Sequence, residues 1–407
     1  MRSDLIGLTR SVLDRPEREY FLQDCLAQTP QIREAIQGRR ILAIGGAGSI
    51  GTATVRALAG FAPAALHVVD LDENALAELV RTLRSQPAGL GVGDFRAFPL
   101  DFGSPIMRRL LDSEPEYDLV LNFAALKHVR SEKDACSLLQ MLDTNVAKVS
   151  RLLQWLVARE SNVRLFSVST DKAANPVSLM GASKRVMEAV IFAGSTSGIA
   201  VSSARFANVA FSKGSLLESW LYRFAQGQPL VAPKDTRRFF VSLEEAGRLC
   251  LLAAAGCPPG HLLVPGAQFR AIDHLLEDLA AAFLRLQGAE PKIYDDETAA
   301  RRNVRADLAG GKYPLLLTRR DTSGEKAYEE FVGDAESLVD LGFEELEGIA
   351  ARPIADPQRL VELVTEIESL VRDPERPLAK AALVESLKRV VPQLAHVETG
   401  RSLDERM

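Results

Sequence analysis

The sequence is poor in cysteine and histidine, and this limits the kinds of site that the protein can hold. Its 407 residues include four cysteines and five histidines. The cysteines are scattered and lack the close pairing of a zinc site, at Cys25, Cys136, Cys250 and Cys257. We therefore expect no metal site and no disulfide framework, and the thiols indicate a reducing, cytoplasmic location.

Long apolar runs and an excess of positive charge are also missing. No stretch reaches the ~20 apolar residues that a membrane helix needs, and no secretory leader is recognisable. The net charge of −5 at pH 7 disfavours nucleic acid as the main partner. Hydrophobic residues make up 47% of the chain, which allows a large core without disulfides. We expect a soluble globular protein that does not insert into membranes.

Short apolar segments alternate with helical patterns in the first half of the chain. The expected strands lie at residues 41–44, 65–70, 95–100, 118–123, 164–169 and 200–206. The expected helices lie at residues 52–58, 73–84, 135–159 and 182–193. Such alternation predicts an α/β fold, a doubly wound parallel sheet of the Rossmann type with helices on both faces.

The rest of the chain follows different patterns and suggests four parts. We expect a helical N-terminal arm over residues 1–38 and the Rossmann domain over 39–212. A smaller substrate-binding lobe is expected over 213–333, with segments that return to the core. A charged, helical C-terminal extension is expected over 334–407.

A glycine-rich turn follows the first expected strand and opens a helix. The glycines Gly45, Gly48 and Gly51 recur every third residue, and Ser49 and Ile50 between them belong to the expected cofactor site. Glycine permits the tight turn and lets backbone N–H groups approach a pyrophosphate, which the helix N-terminus also attracts. Because the turn lies between a strand and a helix, these residues predict a dinucleotide site rather than a plain turn.

A carboxylate ends or directly follows each of the next two strands, and the first of them bears on which dinucleotide is expected. Asp70 ends the second strand, where a carboxylate suits the ribose hydroxyls of NAD and repels the 2′-phosphate of NADP. The expected cofactor is therefore NAD, unless Asp70 only caps the following helix. Asp101 and Phe102 follow the third strand, where they either flank the adenine or belong to an ordinary loop.

A hydroxyl, a carboxylate and two amines cluster after the fifth strand. Thr170, Asp171 and Lys172 directly follow this strand, and Lys184 lies on the next helix. Strand ends in such a sheet face the cofactor crevice, which makes these four residues catalytic candidates. The alternatives are a surface ion pair for Asp171 and Lys172 and a solvated position for Lys184.

Eight segments together resemble the extended short-chain dehydrogenase/reductases, and among them the UDP-N-acetylglucosamine 4,6-dehydratases of polysaccharide biosynthesis. They are GGAGSIG (45–51), NFAALKHV (122–129), STDKAANP (169–176), MGASKR (180–185), RFANV (205–209), KGS (213–215), RRFF (237–240) and SGEKAYEE (323–330). The resemblance implies an NAD-dependent lyase that converts the sugar nucleotide to a 4-keto-6-deoxy sugar.

The resemblance also implies a role for each catalytic candidate. The nicotinamide takes a hydride from C4 and later returns it to C6. Lys172 removes the C5 proton, which requires a lowered pKa, and Asp171 protonates the departing C6 hydroxyl. Thr170 and Lys184 orient the substrate and the nicotinamide ribose.

Met180 departs from the pattern of most short-chain dehydrogenases, which have a tyrosine base at this position. Loss of an acid–base group costs about 10²–10⁴-fold in rate unless another group replaces it. Either the protein is inactive, or the C4 proton leaves through Thr170, Asp171, Lys172 or water. Methionine-bearing members of the same family are similar here, which favours activity and retention of configuration at C5.

The resemblance also nominates residues that contact the ligands. Ala124 belongs to the expected cofactor wall. The expected substrate-binding residues are Lys127, His128, Asn208, Lys213, Arg238 and Glu325. Cations among them suit a diphosphate, whereas packing remains an alternative for His128.

Other functions and an assembly are also consistent with these patterns. A C4 epimerase or a 5,6-dehydratase could use the same scaffold, and a non-catalytic protein that binds NAD or a nucleotide sugar would explain Met180. The resemblance also implies a homodimer or larger assembly, with residues 135–159 and 182–193 as the contact helices.

Overall fold

The computed structural model of the chain describes residues 5–15, 18–87, 89–159, 162–351, 356–400 and 404. Its strands are β1 (Arg40–Ile44), β2 (Ala65–Asp70), β3 (Asp94–Pro99), β4 (Leu119–Asn122), β5 (Arg164–Thr170), β6 (Ala200–Phe206), β7 (Asn208–Val209), β8 (Leu230–Pro233), β9 (Arg237–Arg238), β10 (Phe240–Val241), β11 (His261–Pro265), β12 (His274–Leu275), β13 (Glu290–Tyr294), β14 (Lys312–Thr318), β15 (Leu338–Val339) and β16 (Leu346–Ala350).

The α-helices surround these strands and make up most of the two ends of the chain. They are α1 (Leu5–Val12), α2 (Leu22–Ala27), α3 (Thr29–Ile36), α4 (Ser49–Ala59), α5 (Glu73–Arg84), α6 (Pro105–Ser113), α7 (Ala135–Leu142), α8 (Lys148–Ala158), α9 (Leu179–Ala193), α10 (Leu216–Ala225), α11 (Leu243–Leu251), α12 (Ala267–Arg270), α13 (Leu276–Leu286), α14 (Glu297–Ala309), α15 (Pro357–Arg372) and α16 (Lys380–Val390). Among the helices described, none has the length and hydrophobicity required to cross a membrane.

A nine-stranded sheet forms the centre of the molecule, in the order β15-β16-β11-β6-β5-β4-β1-β2-β3. The seven strands from β11 to β3 run parallel, and helices cover the sheet. The α/β prediction is confirmed. The sheet is not wholly parallel, because β16 pairs antiparallel with β11 and β15 pairs antiparallel with β16.

The helix expected over residues 135–159 contains a distortion that serves the site. A π-helical segment, Asp143–Ala147, separates α7 from α8. Such segments recur at functional sites because they turn side chains away from the regular helical register. Here Asn145 is fully buried. Its side-chain oxygen accepts a hydrogen bond from the N–H of Leu126, and its side-chain nitrogen donates one to the carbonyl of Leu126. Asn145 thereby fixes the loop that follows β4.

A smaller lobe lies beside the carboxyl ends of the main strands. Its three-stranded sheet has the order β13-β14-β8, and all three strands are parallel. Trp220 and Phe283 are fully buried in its core, and Leu13 of the N-terminal arm belongs to the same cluster. The arm then continues into the main core, where Phe21 and Ile32 are fully buried. The arm therefore joins the two parts of the fold.

The segment expected to be a helical C-terminal extension begins instead with sheet structure. Residues 338–350 form β15 and β16 at the sheet edge, and the helices begin at Pro357. The expectation of helix over 334–350 is therefore wrong. These strands complete the sheet by covering β11, whose edge would otherwise offer unpaired backbone groups.

Helices α15 and α16 pack against α7, α8 and α9. Ile367 and Leu387 are fully buried in one cluster with Leu142 and Ile191. These are faces of the helices that the sequence nominated for a dimer contact. The chain's own C-terminal helices occupy them, so the expected contact surface is buried within the subunit.

Candidate active site

A cavity of about 520 Å³ opens where the carboxyl ends of β1, β4, β5 and β6 meet the lobe. The glycine turn forms one wall, and residues of β5 and α9 form the floor. Residues of α10 and α13 face them from the lobe. Parallel sheets commonly bind ligands in such a crevice. The cavity brings together the sequence candidates Gly45, Gly48, Ser49, Ile50, Gly51, Lys127, His128, Thr170, Lys172, Met180, Lys184, Asn208 and Arg238.

The glycine turn has the close packing that its sequence predicts. Gly45 has φ +68°, and a Cβ there would lie 2.5 Å from the backbone nitrogen of Ala124. A Cβ on Gly51 would lie 2.4 Å from the carbonyl oxygen of Gly45. Helix α4 begins at Ser49, so its first N–H groups have no partner within the helix. The turn therefore fits the pyrophosphate of a dinucleotide.

Asp70 supports this turn from the end of β2. Its Oδ2 accepts a 3.0 Å hydrogen bond from the N–H of Ala47. Helix α5 is capped by Asp72, which accepts from the N–H of Ala75. The capping alternative therefore applies to Asp72, and Asp70 stands at the strand end, where a ribose would bind.

The pair after β3 is engaged within the protein. Asp101 Oδ2 lies 2.6 Å from Lys148 Nζ. Burial works against ionisation of Asp101, but the lysine outweighs it and lowers the carboxyl pKa. Phe102 is buried in the core. Neither side chain lines the cavity.

The candidates at the end of β5 form one hydrogen-bonded unit. Asp171 is 1% exposed, and it lies behind Thr170 and Lys172, which line the cavity. Its Oδ1 accepts hydrogen bonds from the Thr170 hydroxyl at 2.8 Å and from Lys172 Nζ at 3.0 Å. A ligand in the cavity would thus meet the hydroxyl and the amine first, with the carboxylate next in line.

The environment of Lys172 differs from the one expected. Burial disfavours its charge, but the carboxylates of Asp171 and Glu329 outweigh burial and raise the pKa of Lys172. The expectation of a lowered pKa is therefore wrong. Lys172 is held as an ammonium group, because Asp171 Oδ1 and Glu329 Oε1 lie 3.0 and 3.6 Å from its nitrogen.

Lys184 and Met180 lie on the first turns of α9, facing the same cavity. Burial lowers the pKa of Lys184 to about 8. Met180 is 3% exposed, and its backbone N–H donates to Glu132 Oε1. Methionine thus fills the tyrosine position with an apolar side chain that carries no ionisable proton.

Two expected substrate residues point elsewhere. Lys213 lies 3.6 Å from Asp72, and its backbone N–H donates to Ser49 Oγ, so it covers the glycine turn rather than the cavity. Glu325 accepts from the N–H of Thr322 within its own loop. Neither side chain lines the cavity.

Glu329 is a site residue that the sequence reasoning missed. It lies in the SGEKAYEE segment, where the expected substrate residue is Glu325 instead. Glu329 is 6% exposed, and its Oε1 lies 3.6 Å from both Lys172 Nζ and Arg238 Nη2. The two hydrogen bonds from Arg238 to the carbonyls of Ala327 and Lys326 fix the same segment.

A buried charge network anchors this segment to the sheet. Arg205 on β6 is fully buried and donates to Glu188 and Glu336. It also donates a 2.8 Å hydrogen bond to the carbonyl of Phe331. Because an unpaired buried charge is costly, this network holds the chain next to Glu329 in one place.

The C-terminal segment ties two of the motif segments together. The N–H of Ala395 donates to the carbonyl of Pro176, which ends STDKAANP. The N–H of Thr399 donates to the hydroxyl of Ser323, which begins SGEKAYEE. Residues 395–399 therefore support the segments that carry Lys172 and Glu329.

The fold and the glycine turn define a Rossmann-type α/β protein with a cavity at the carboxyl ends of its parallel strands. Residues 41–349 match the model of the family described as "Polysaccharide biosynthesis protein". The chain belongs to this family, and it resembles the extended short-chain dehydrogenase/reductases.

Three relatives show how far the similarity extends. An uncharacterized membrane protein of Methanocaldococcus jannaschii is 32% identical over 311 residues, which cover 73% of this chain and 81% of the relative. The capsular polysaccharide biosynthesis protein CapD of Staphylococcus aureus is 28% identical, over 77% of this chain but only 52% of CapD. A UDP-N-acetylglucosamine 4,6-dehydratase (inverting) of Campylobacter jejuni is 28% identical, over 60% of this chain and 71% of the enzyme.

Solved structures share the fold at lower identity. Pen from Bacillus thuringiensis superposes with a TM-score of 0.63 at 19% identity, over 78% of this chain and 87% of Pen. WbmF from Bordetella bronchiseptica, solved with NAD+ and UDP, gives a TM-score of 0.51 at 19% identity, over 62% of this chain and 79% of WbmF. At these identities the likeness concerns the fold alone.

Proposed function

We propose that the protein is an NAD-dependent sugar-nucleotide 4,6-dehydratase that converts UDP-N-acetylglucosamine, or a close nucleotide hexose, to the 4-keto-6-deoxy sugar. The observation that carries this proposal is the arrangement of Thr170, Lys172 and Lys184 around one cavity beside the glycine turn. The Campylobacter jejuni relative, whose name states this activity, supports the choice of substrate.

The residues present fit NAD. The glycine turn leaves room for a pyrophosphate, and Asp70 suits the ribose hydroxyls. Lys184 reaches the floor of the cavity, where the nicotinamide ribose would lie, and WbmF was solved with NAD+ in the same fold. Bound NAD would supply the oxidation at C4 and the reduction at C6.

Thr170 is the hydroxyl best placed to receive the C4 proton in the absence of a tyrosine. Its own hydrogen points to Asp171 Oδ1, which leaves an oxygen lone pair for a donor in the cavity. A proton taken by Thr170 can pass on to Asp171. General-base help of this kind contributes about 10²–10⁴-fold in rate.

Lys172 then acts at C5 and Asp171 at C6. Oxidation at C4 acidifies the C5 proton, which the Lys172 amine removes. The proton held on Asp171 returns through Thr170 to the departing C6 hydroxyl, which leaves as water. A simple C4 epimerase removes no C5 proton and would give Lys172 no task, so we favour the dehydratase.

Proton NMR of the protein mixed with UDP-N-acetylglucosamine in heavy water tests this proposal. A new C6 methyl signal, with deuterium at C5, is the expected result, and the ring couplings report whether C5 is retained or inverted. An unchanged spectrum with bound NAD and with other nucleotide sugars would contradict it. The protein would then be a non-catalytic binder of NAD or nucleotide sugars, as Met180 alone would indicate.

A further inference from the structure

The dehydration requires temporary storage for two protons. The C4 hydroxyl loses its proton as the hydride leaves C4, and C5 loses its proton next. The C6–O bond then breaks and the hydroxide takes up one proton to leave as water. The hydride returns to C6, and the electron pair at C5 takes up the second proton. Two protons therefore reside on the enzyme just before water leaves.

The Asp171–Lys172 pair alone cannot hold both protons. Lys172 is already held as an ammonium group, because the carboxylates of Asp171 and Glu329 lie 3.0 and 3.6 Å from its nitrogen. Asp171 can accept one proton through Thr170. Lys172 can take the C5 proton only after it has given its own proton to another group. A second acceptor next to Lys172 is required.

Resting on the proposed function, we infer that Glu329 is this second acceptor and controls when Lys172 becomes a free amine. Glu329 Oε1 is 3.6 Å from Lys172 Nζ, so the lysine has a second carboxylate beside it in addition to Asp171. Lys172 passes its proton to Glu329, removes the C5 proton, and returns a proton to C5 after the hydride has reached C6. Glu329 then gives its proton back to Lys172, so both residues regain their initial protonation and the protons and electrons balance over the cycle.

The surroundings of Glu329 suit an acceptor. Burial raises its carboxyl pKa, while Lys172 and Arg238 draw it back towards the ionised form. Because its pKa is raised, Glu329 is closer in pKa to a neighbouring amine than an exposed carboxylate would be. The bonds of Arg238 and Arg205 hold the flanking backbone at Lys326, Ala327 and Phe331, so the separation from Lys172 is fixed.

Glu329→Gln is the direct test, and Glu330→Gln is the matched control. Glu330 carries the same charge in the same segment, but it pairs with Lys326 and Asn175. Glu329→Gln should lower kcat about 10²–10⁴-fold with little change in KM, and its residual rate should rise with pH as solvent deprotonates Lys172. Glu330→Gln should keep the wild-type pH profile.

A single-turnover experiment locates the block. Removal of the C4 hydride requires only that Asp171 accepts the C4 hydroxyl proton. Glu329→Gln should therefore still develop the absorbance of reduced nicotinamide with UDP-N-acetylglucosamine. Deuterium exchange at C5 should stop. A general collapse of the site would abolish both signals. Glu329→Asp, which keeps the carboxylate, should recover part of the C5 exchange.

A readout without cofactor separates this role from mere support. In the cofactor-free protein, pH-dependent labelling of Lys172 by an amine-reactive reagent should show a lower pKa in Glu329→Gln and no change in Glu330→Gln. The inference would be overturned if Glu329→Gln matched the wild type in kcat, in pH profile and in the labelling of Lys172. The dehydratase proposal would then still stand. Absence of dehydration in the wild type would instead overturn the proposed function.

Discussion

The backbone N–H of Met180 donates a 2.8 Å hydrogen bond to Glu132 Oε1. Glu132 is 2% exposed, and burial raises its carboxyl pKa to about 7. A titratable group thus lies at the start of α9, directly behind the residue that stands in the tyrosine position. Its charge changes within the physiological pH range.

Glu132 should make the stability of the protein pH-dependent. An unfolded glutamate loses its proton near pH 4.5, whereas the folded protein holds it to about pH 7. The folded state therefore binds more protons between these values, and the free energy of unfolding falls as pH rises through them. Glu132→Gln should gain stability relative to wild type over this range, by up to about 3 kcal/mol.

Urea unfolding of both proteins at about pH 5 and about pH 8 measures this difference. A gap between the two free energies that grows with pH is the expected result. A gap that stays constant would show that Glu132 does not titrate in this range.

The glycine turn should tolerate no side chain at Gly51. Gly51→Ala places a Cβ 2.4 Å from the carbonyl oxygen of Gly45, so the turn must move and NAD binding should be lost. Gly60→Ala is the control, because Gly60 ends the same helix and its Cβ would meet only an ordinary contact of 3.4 Å. Calorimetric titration with NAD checks both variants, and normal affinity in Gly51→Ala would refute the assigned cofactor site.

Loss of the Lys172 amine should stop the reaction after C4 oxidation. Lys172→Met should lower kcat for dehydration by about 10²–10⁴-fold and abolish deuterium entry at C5. Lys388→Met removes an amine from the exposed face of α16 and should leave the rate unchanged. Normal C5 exchange in Lys172→Met would assign the C5 base to another residue.

The C-terminal helices should contribute to the stability of the whole domain. Ile367 is fully buried between α15 and the core, and Ile367→Ala should cost about 2–5 kcal/mol in the free energy of unfolding. Val371 lies one turn further along α15 and is 45% exposed, so Val371→Ala should have little effect. If Ile367→Ala and Val371→Ala lowered the thermal unfolding temperature by equal, small amounts, α15 would be shown to pack loosely.

Local sequence signals were sufficient for much of the main domain. Strand β2 and helix α5 match their expected bounds, because an apolar run ends at Asp70 and Asp72 caps the helix that follows. The glycine turn was equally clear, since its spacing and its strand–helix setting both follow from the local sequence.

Long-range packing decided what the sequence could not. The SGEKAYEE segment contains three glutamates, and long-range bonds such as those of Arg205 and Arg238 hold it so that Glu329 lies next to Lys172. The pairing of β16 with β11 likewise joins distant parts of the chain. Against the effect of burial, the pKa of Lys172 is raised first by Asp171, its neighbour in the sequence, and then by the distant carboxylate of Glu329. A lowered value was expected because a base at C5 must be a neutral amine.

The contacts of residues 395–399 also constrain the order in which the protein can be built. Ala395 bonds to Pro176, and Thr399 bonds to Ser323. During synthesis, residues 395–399 follow every strand of the nine-stranded sheet. The two segments that carry Lys172 and Glu329 can therefore acquire these two hydrogen bonds only after all strands of that sheet have been made.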